Sequence, residues 1–385
     1  MKRGSPKGSK AQKKAGRSSQ AAFYPFGRSG GARGEESSNS NKIDVAVQEL
    51  TFTTVPPERD PDGNSEWVLG EPETKQKVFS LPGFPQPVPK PLGPPSFAVR
   101  STPDMGLGVF VTRDIKVGEL IFAERPLLMV PRGLRVKDLE DSMIMTRYGG
   151  EQITEKWDKT LDVAVRRMSL DDREAFLSLT NVYEGIGAGR LLGIIRTNGY
   201  PIRNLIDGPE DREPRDSYVY FSVTKTGSRI NHSCRPNVDF DFDLTSFSSS
   251  AIATKDIKAG EQLFHSYCSV ENSAATRRSQ LARYEFVCKC LSCVNATPAS
   301  DKFRSEYGDL ALASGQWVVD PRTYIQQTLK LREDMLDEGL EGTFLYVYLL
   351  RSIYVMFRNL GMADFEKEIM EEFLAHNRVE KLEVV

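Results

Sequence analysis

Asn231-His232-Ser233-Cys234-Arg235-Pro236-Asn237 sets an amide, an imidazole, a hydroxyl and a thiol within seven residues. The amide and the imidazole offer fixed hydrogen bonds. The thiol, once ionised, is a metal ligand. Pro236 ends any regular ladder at that point. Further on, Cys288-Lys289-Cys290-Leu291-Ser292-Cys293 brings three thiols into six residues. A structural Zn²⁺ takes four tetrahedral ligands, so a fourth must come from elsewhere. Cys234 and Cys268 are the only other thiols in the chain. Between these stretches, Gly260-Glu261-Gln262-Leu263-Phe264-His265-Ser266-Tyr267 ends on a phenol that can orient a nucleophile or polarise a transfer.

Several elements must position these groups. The β-rich run Tyr218 to Val223 leads into the Asn-His motif. Val238 to Leu244 alternates apolar and acidic residues, which predicts a half-exposed strand. Ala251 to Thr254 pairs with it across Thr245 to Ser250 as a hairpin. Upstream, Phe97 to Arg100, Gly106 to Val111 and Leu120 to Glu124 read as strands, the last stopped by Pro126. Asp256-Ile-Lys-Ala-Gly-Glu261 repeats Asp114-Ile-Lys-Val-Gly-Glu119, which predicts two similar hairpin turns. Residues from Pro131 to Met168 are helix-compatible. Ser169 is an N-cap for the next helix, which places Phe176 and Leu179 on one side. Gly185, Gly187 and Gly189 read as a flexible turn, with no preceding strand to make them a nucleotide loop. Leu191 to Ile195 forms an apolar segment closed by Thr197-Asn198-Gly199, where Asn and Gly suit a helix C-cap. After the cysteines, Ile325, Leu329 and Leu336 mark a helix stopped by Gly339. Leu345 to Phe357 marks a second, ended by Gly361, and Phe365 to Phe373 a third. Their aromatic stripe reads as core.

With 39% hydrophobic and 27% charged residues, the chain can bury a real core. A net charge of -2 argues against bulk electrostatic binding to nucleic acid. Few cysteines, gathered toward one region, read as a metal site in a reducing compartment rather than a disulfide framework. No apolar stretch follows the first lysines as a signal peptide would, and Phe344 to Leu350 is too short to span a bilayer. Lys2, Arg3, Lys7, Lys10, Lys13, Lys14, Arg17, Arg28 and Arg33 precede the first acidic residue, Glu35. That segment is a solvated tail by composition, with nuclear import or nucleic-acid contact as the sharper alternative. Prolines crowd the chain from Pro56 to Pro95, which predicts an extended linker and leaves any strand near Val45 to Thr53 isolated.

The order Asn-His-Ser-Cys, Gly-Glu, Ser-Tyr, Cys-x-Cys-x-x-Cys resembles the second half of a SET domain with its post-SET cysteines. Gly106-Leu107-Gly108-Val109-Phe110, then Asp114-Ile-Lys-Val-Gly118-Glu119, then Glu124-Arg125-Pro126 resembles the opening of that domain in the SET-and-MYND family. That family carries a zinc-binding MYND module where this chain, between Pro131 and Met168, has no cysteine. The sequence is therefore similar to fungal-type relatives that lack the MYND module. Two further departures are Leu107 between the glycines, often a polar residue, and Phe264-His265 in place of a Thr-Ile type pair.

The resemblance implies an α+β fold: a SET domain of short β-sheets with a pseudo-knot, a helical insert, a zinc-binding post-SET loop and a C-terminal helical tail domain. The expected divisions are a disordered basic and Pro-rich region over 1–95, the SET domain over 96–270 with its insert at about 132–195, the post-SET loop over 283–295, and the helical domain over 300–385. It implies an S-adenosylmethionine-dependent methyltransferase acting on the side-chain amine of a protein lysine. Tyr267 would be catalytic. Gly106, Leu107, Gly108, Asn198, Asn231, His232, Tyr267, Tyr284 and Phe286 would bind the cofactor, with His232 as a general base the alternative. Cys234, Cys288, Cys290 and Cys293 would hold a structural zinc, leaving Cys268 as a buried neighbour of Tyr267. The expected partner is a protein or peptide carrying a target lysine, chromatin among the candidates, in the nucleus and/or cytoplasm. No membrane contact is expected, and no nucleic-acid contact beyond the basic tail. Rival readings are a SET fold that has lost catalysis and serves as a protein-binding module, and a zinc-bearing nucleic-acid binder.

Overall fold

The computed structural model describes residues 50–132, 150–184, 189–206 and 219–380. The basic run from Lys2 to Arg33, and Gly185 and Gly187, lie outside the described residues.

A five-stranded sheet has the order β1 (Thr51–Val55), β2 (Ser65–Leu69), β6 (Leu128–Pro131), β8 (Val219–Val223), β7 (Tyr200–Ile206). β2 and β6 run parallel; the other pairs are antiparallel. All five residues of β2 are buried. Successive side chains of a strand point to opposite faces. Val68 joins Leu128, Val130 and Phe221 on one face, against Trp157 and Leu161. Trp67 and Leu69 join Met129, Tyr220 and Phe247 on the other.

This corrects the expectation that residues 55–95 form an extended linker and that a strand before them is isolated. β1 pairs along its full length with β2, and helix α1 (Pro72–Phe79) buries Val78 in the same core. Arg125 holds the segment down. Its buried guanidinium donates to Gly63 O at 2.8 Å, Gln86 O at 3.2 Å and Ser246 O at 3.2 Å, and it pairs with Asp60 at 2.7 Å. The prolines break regular ladders without preventing burial, because β2 and α1, which lie among them, carry buried apolar residues.

The antiparallel hairpin β3 (Phe97–Ser101) and β4 (Leu107–Val111) stands beside a three-stranded sheet, β10 (Val238–Asp243), β11 (Ser248–Ala253), β5 (Leu120–Glu124). The repeated Asp-Ile-Lys-x-Gly-Glu turns pair with each other. Ile115 and Ile257 exchange backbone hydrogen bonds at 2.8 and 2.9 Å. Asp114 accepts from Ala259 N and Lys258 Nζ, and Asp256 accepts from Val117 N and Lys116 Nζ. The sequence repeat is thus a local two-fold-like joint between two halves of the fold.

Helices α2 (Gly150–Arg167), α3 (Leu170–Leu177) and α4 (Arg190–Asn198) cover the first face of the large sheet. Ser169 caps α3 by accepting from Asp172 N at 3.1 Å. A short parallel pair, β9 (Asn231–His232) and β12 (Phe264–His265), crosses the two motif segments. α5 (Ala274–Leu281) and α6 (Leu291–Val294) frame the cysteine loop. Then come α7 (Pro298–Trp317), α8 (Pro321–Glu338), α9 (Phe344–Leu360) and α10 (Ala363–Glu380). α9 fills their common core with Tyr346, Leu349, Leu350, Ile353 and Met356, all at 0% exposure. Gly339 and Gly361 end α8 and α9 in the left-handed region, at φ 70° and 69°, where glycine escapes the Cβ penalty. α7 has no counterpart among the helices read from the sequence.

Candidate active site

The four sulfurs of Cys234, Cys288, Cys290 and Cys293 lie within 4.8 Å of one another, and Cys234 and Cys293 are 3.5 Å apart. Sulfurs about 2.3 Å from a tetrahedral zinc stand about 3.8 Å from each other, so the spacing fits such an ion. Three of the sulfurs come from one short loop and the fourth from the segment after β9. Cys290 and Cys293 are held below the ordinary thiol range, first by hydrogen bonding with Cys234, and Cys234 is held above it, first by hydrogen bonding with Cys268. Arg277, fully buried, places NH2 4.0 Å from Cys293 Sγ and donates to Ser292 O at 2.9 Å. Burial works against its charge, but the surrounding sulfur charge more than offsets this.

His232 is 6% exposed and spans two neighbours. Tyr267 N donates to its Nδ1 at 2.9 Å, which makes Nδ1 the acceptor and leaves the proton on Nε2, 3.3 Å from Cys234 Sγ. The imidazole is therefore an internal strut between the Tyr267 backbone and a thiol, and no lone pair is left for a general base. Cys268 is buried, as expected, and its sulfur lies within 4.8 Å of the His232 and Cys234 ligand atoms.

Tyr267 donates its phenol proton to Ile230 O at 2.5 Å. Its ring lies 5.3 Å from His232 and 5.0 Å from Tyr284, which is 6.4 Å from Phe286. Burial, then the neighbouring Tyr284, holds Tyr267 above the usual phenol range. Burial likewise pushes Tyr284 up to about 12. A second group of rings adjoins: Tyr200 with Phe240 at 4.4 Å and His265 at 5.3 Å. Burial first, then the Tyr267 and Tyr284 phenols, keeps Tyr200 well above its ordinary range. Tyr200 donates to Gly227 O at 2.9 Å, so two phenols bond the same turn, Gly227 to Ile230. Glu124 fixes that turn by accepting from Thr226 N and Gly227 N.

Asn231 Nδ2 donates to Leu107 O at 3.0 Å and so ties the motif to the β3–β4 turn. That turn also approaches the cysteine loop, with Lys289 Nζ 3.4 Å from Asp104 Oδ2. The two segments leave Met105, Leu107, Phe286 and Val287 between 37% and 64% exposed, two apolar edges flanking Asn231. Gly106 has φ 69° in the turn. A Cβ on Gly108 would lie 2.5 Å from Gln262 Nε2, so this glycine also admits a neighbouring side chain. Asn198 caps α4 from within: Nδ2 donates to Thr180 O and Ile194 O, both at 2.7 Å. Its side-chain donors are spent inside the fold, while Gly199 is extended at φ -78° rather than left-handed.

Sequence reading missed Tyr200, Phe240 and His265 as neighbours of the site, and it missed Arg277. Tyr200 follows Thr197-Asn198-Gly199 directly, and that proximity was the available signal. Nothing local marks Arg277 as buried.

The SET domain family model matches residues 106–268. Histone-lysine N-methyltransferase set5 of Schizosaccharomyces pombe is 26% identical over 198 residues, 51% of this chain and 50% of the relative. SET domain and MYND-type zinc finger protein 6 of the same organism is 32% identical over 143 residues, 32% of this chain and 29% of that one. Protein-lysine N-trimethyltransferase SMYD5 of Homo sapiens is 32% identical over 108 residues, 22% of this chain and 26% of the relative. The chain thus spans about half the length of the first of these curated relatives and less of the others.

Proposed function

With residues 106–268 a SET domain, we propose that this chain is a protein-lysine N-methyltransferase that uses S-adenosylmethionine. One observation carries the proposal: Tyr267 packs on His232 and Tyr284, the two rings that also pack on the exposed Phe286, and it shares the Gly227–Ile230 turn with Tyr200, while Asn231 is anchored to Leu107. The methyltransferase names of the relatives support the same reading. The cofactor supplies an activated methyl on a sulfonium. Phe286 offers a face for its adenine, with Tyr284 behind. Asn231, the backbone of His232 and the Gly106-Leu107-Gly108 turn hold the remainder, and Asn198 is left only Oδ1 and backbone groups for that purpose.

The rings act on the substrate amine. Free lysine has a pKa of about 10.4, and an apolar, partly cationic surrounding disfavours the ammonium. Tyr267 keeps its own proton, directed at Ile230 O, so its oxygen can accept an amine N–H and aim the nitrogen lone pair. The crossing of β9 with β12 supports a pseudo-knot, and the four thiols support a structural zinc that closes a post-SET loop, 283–295, over the cofactor. The SET domain proper would run over 96–270 with its insert at about 132–195, and 300–385 would form a helical domain. The partner would be a protein with a target lysine. Histone-directed relatives support chromatin as a candidate and action in the nucleus and/or cytoplasm.

Two outcomes test this reading. Cys290→Ser removes one of four ligands, so zinc content and S-adenosylmethionine affinity should both fall, the latter by about tenfold or more. Calorimetric titration beside metal analysis checks it, and full zinc with unchanged binding sinks the staple. Across about pH 7 to 9, kcat/KM should climb with the neutral fraction of the substrate lysine, up to about tenfold per unit. No falling limb should appear there, since Tyr267 and Tyr284 both lose their protons only above the ordinary phenol range. A decline by pH 9 in a still-folded protein would contradict the assignment of a neutral phenol.

A further inference from the structure

We propose that the C-terminal turn of α8 is a positioning element for the four-thiol centre, with Arg235 and Arg304 as the residues that act through it. This rests on reading the thiols as a metal centre. A helix leaves its last carbonyls without intrahelical partners and concentrates negative potential there. Three of these carbonyls on α8 are taken by guanidinium groups from outside the helix. Arg235 donates to Asp337 O at 2.8 Å and Leu336 O at 3.2 Å. Arg304, fully buried in α7, donates to Glu338 O at 2.5 Å and pairs with the Glu338 carboxylate at 2.9 Å. Arg304 also donates to Ser292 Oγ at 2.8 Å, and that hydroxyl stands 3.3 Å from Glu338 O.

The chain positions of these partners give the turn its role. Arg235 directly follows Cys234, and Ser292 directly precedes Cys293. The two ligand-bearing segments, 59 residues apart in sequence, are both referred to one helix end. Gly339 completes the fit. A Cβ there would lie 2.4 Å from Arg235 Nε and 2.7 Å from its Cγ, so the arginine stem lies directly over the turn. Metal ligands hold their geometry only as well as the groups behind them are fixed, and losing such support typically costs 10–100-fold in metal affinity.

The test uses the full zinc-loaded chain and a chromophoric chelator, well below the melting temperature. Arg235→Ala should speed zinc transfer by about tenfold or more. It should raise the KM for S-adenosylmethionine more than it lowers kcat. Ser292→Ala, a small change that cuts the other arm, should act in the same direction. Arg235→Lys keeps stem and charge and should recover most of the loss. Arg332→Ala breaks a 2.7 Å pair with Glu372 elsewhere in the helical unit and serves as the matched control for lost stability. It should lower Tm without speeding transfer. Transfer from both Arg235→Ala and Ser292→Ala at the wild-type rate overturns the proposal, as does equal acceleration in Arg332→Ala. A wild-type chain that cannot hold zinc overturns the metal reading itself, and this inference with it.

Discussion

Tyr267→Phe will bind S-adenosylmethionine as the wild type does and turn over about 10²-fold more slowly, or worse. The substitution keeps the ring and its contacts with His232 and Tyr284 at 5.3 and 5.0 Å. The strut from Tyr267 N to His232 is a backbone bond and survives. What disappears is the oxygen proposed to orient the amine, together with its bond to Ile230 O. That lost hydrogen bond costs about 1 kcal/mol of stability, too little to unfold the domain. An interaction made chiefly in the transition state lowers kcat rather than ground-state binding. Steady-state rates beside calorimetric binding separate the two. Wild-type turnover in a variant that binds the cofactor normally would remove Tyr267 from the chemistry.

A chain beginning at Phe97 will fail to fold, although the proline-rich composition before it suggests a dispensable linker. The cut removes β1 and β2, exposing the edge of β6 to which β2 is paired. It also strips Trp67, Leu69 and Val78 from a core they share with Met129, Tyr220 and Phe247. Truncating one buried Trp typically costs about 3–5 kcal/mol against a total of about 5–15, and here several buried side chains go together. Arg125, 5% exposed, would lose Gly63, Gln86 and Asp60 at once and become a buried charge short of partners. Thermal denaturation followed by circular dichroism decides it. A chain starting at Leu50 keeps every described contact and should melt cooperatively. A cooperative transition of similar Tm in the Phe97 chain would show that the first two strands are accessory.

The contrast between these regions shows what a sequence makes legible. Chemistry-bearing motifs were readable because residue types at fixed spacing carry their meaning locally. The thiols of Cys288, Cys290 and Cys293 do meet Cys234, whereas the twin Asp-Ile-Lys turns form no hairpins: each links strands of different sheets, and the two turns pair with each other. Gly339 and Gly361 stop their helices where a left-handed residue is needed. β2 was not readable, because a five-residue strand buried on both faces shows no alternation, and its partner β6 lies about sixty residues away. Arg277 and Arg304 were hidden for a different reason. Arginines on helices read as solvent-facing, and only the fold reveals that they donate to backbone carbonyls of other segments. His232 was legible as a site residue but not as a strut, since its tautomer is set by Tyr267 N, thirty-five residues on.

The central claim is methyl transfer to lysine, and labelled S-adenosylmethionine tests it most directly. Wild-type chain and Tyr267→Phe are incubated in parallel with a protein extract, the proteins are separated, and the labelled band is hydrolysed to amino acids. The structure-based account predicts label recovered as methyl-lysine with the wild type and reduced about 10²-fold with the variant. Label in another residue, equal label from both proteins, or none from a wild type that binds the cofactor would contradict it.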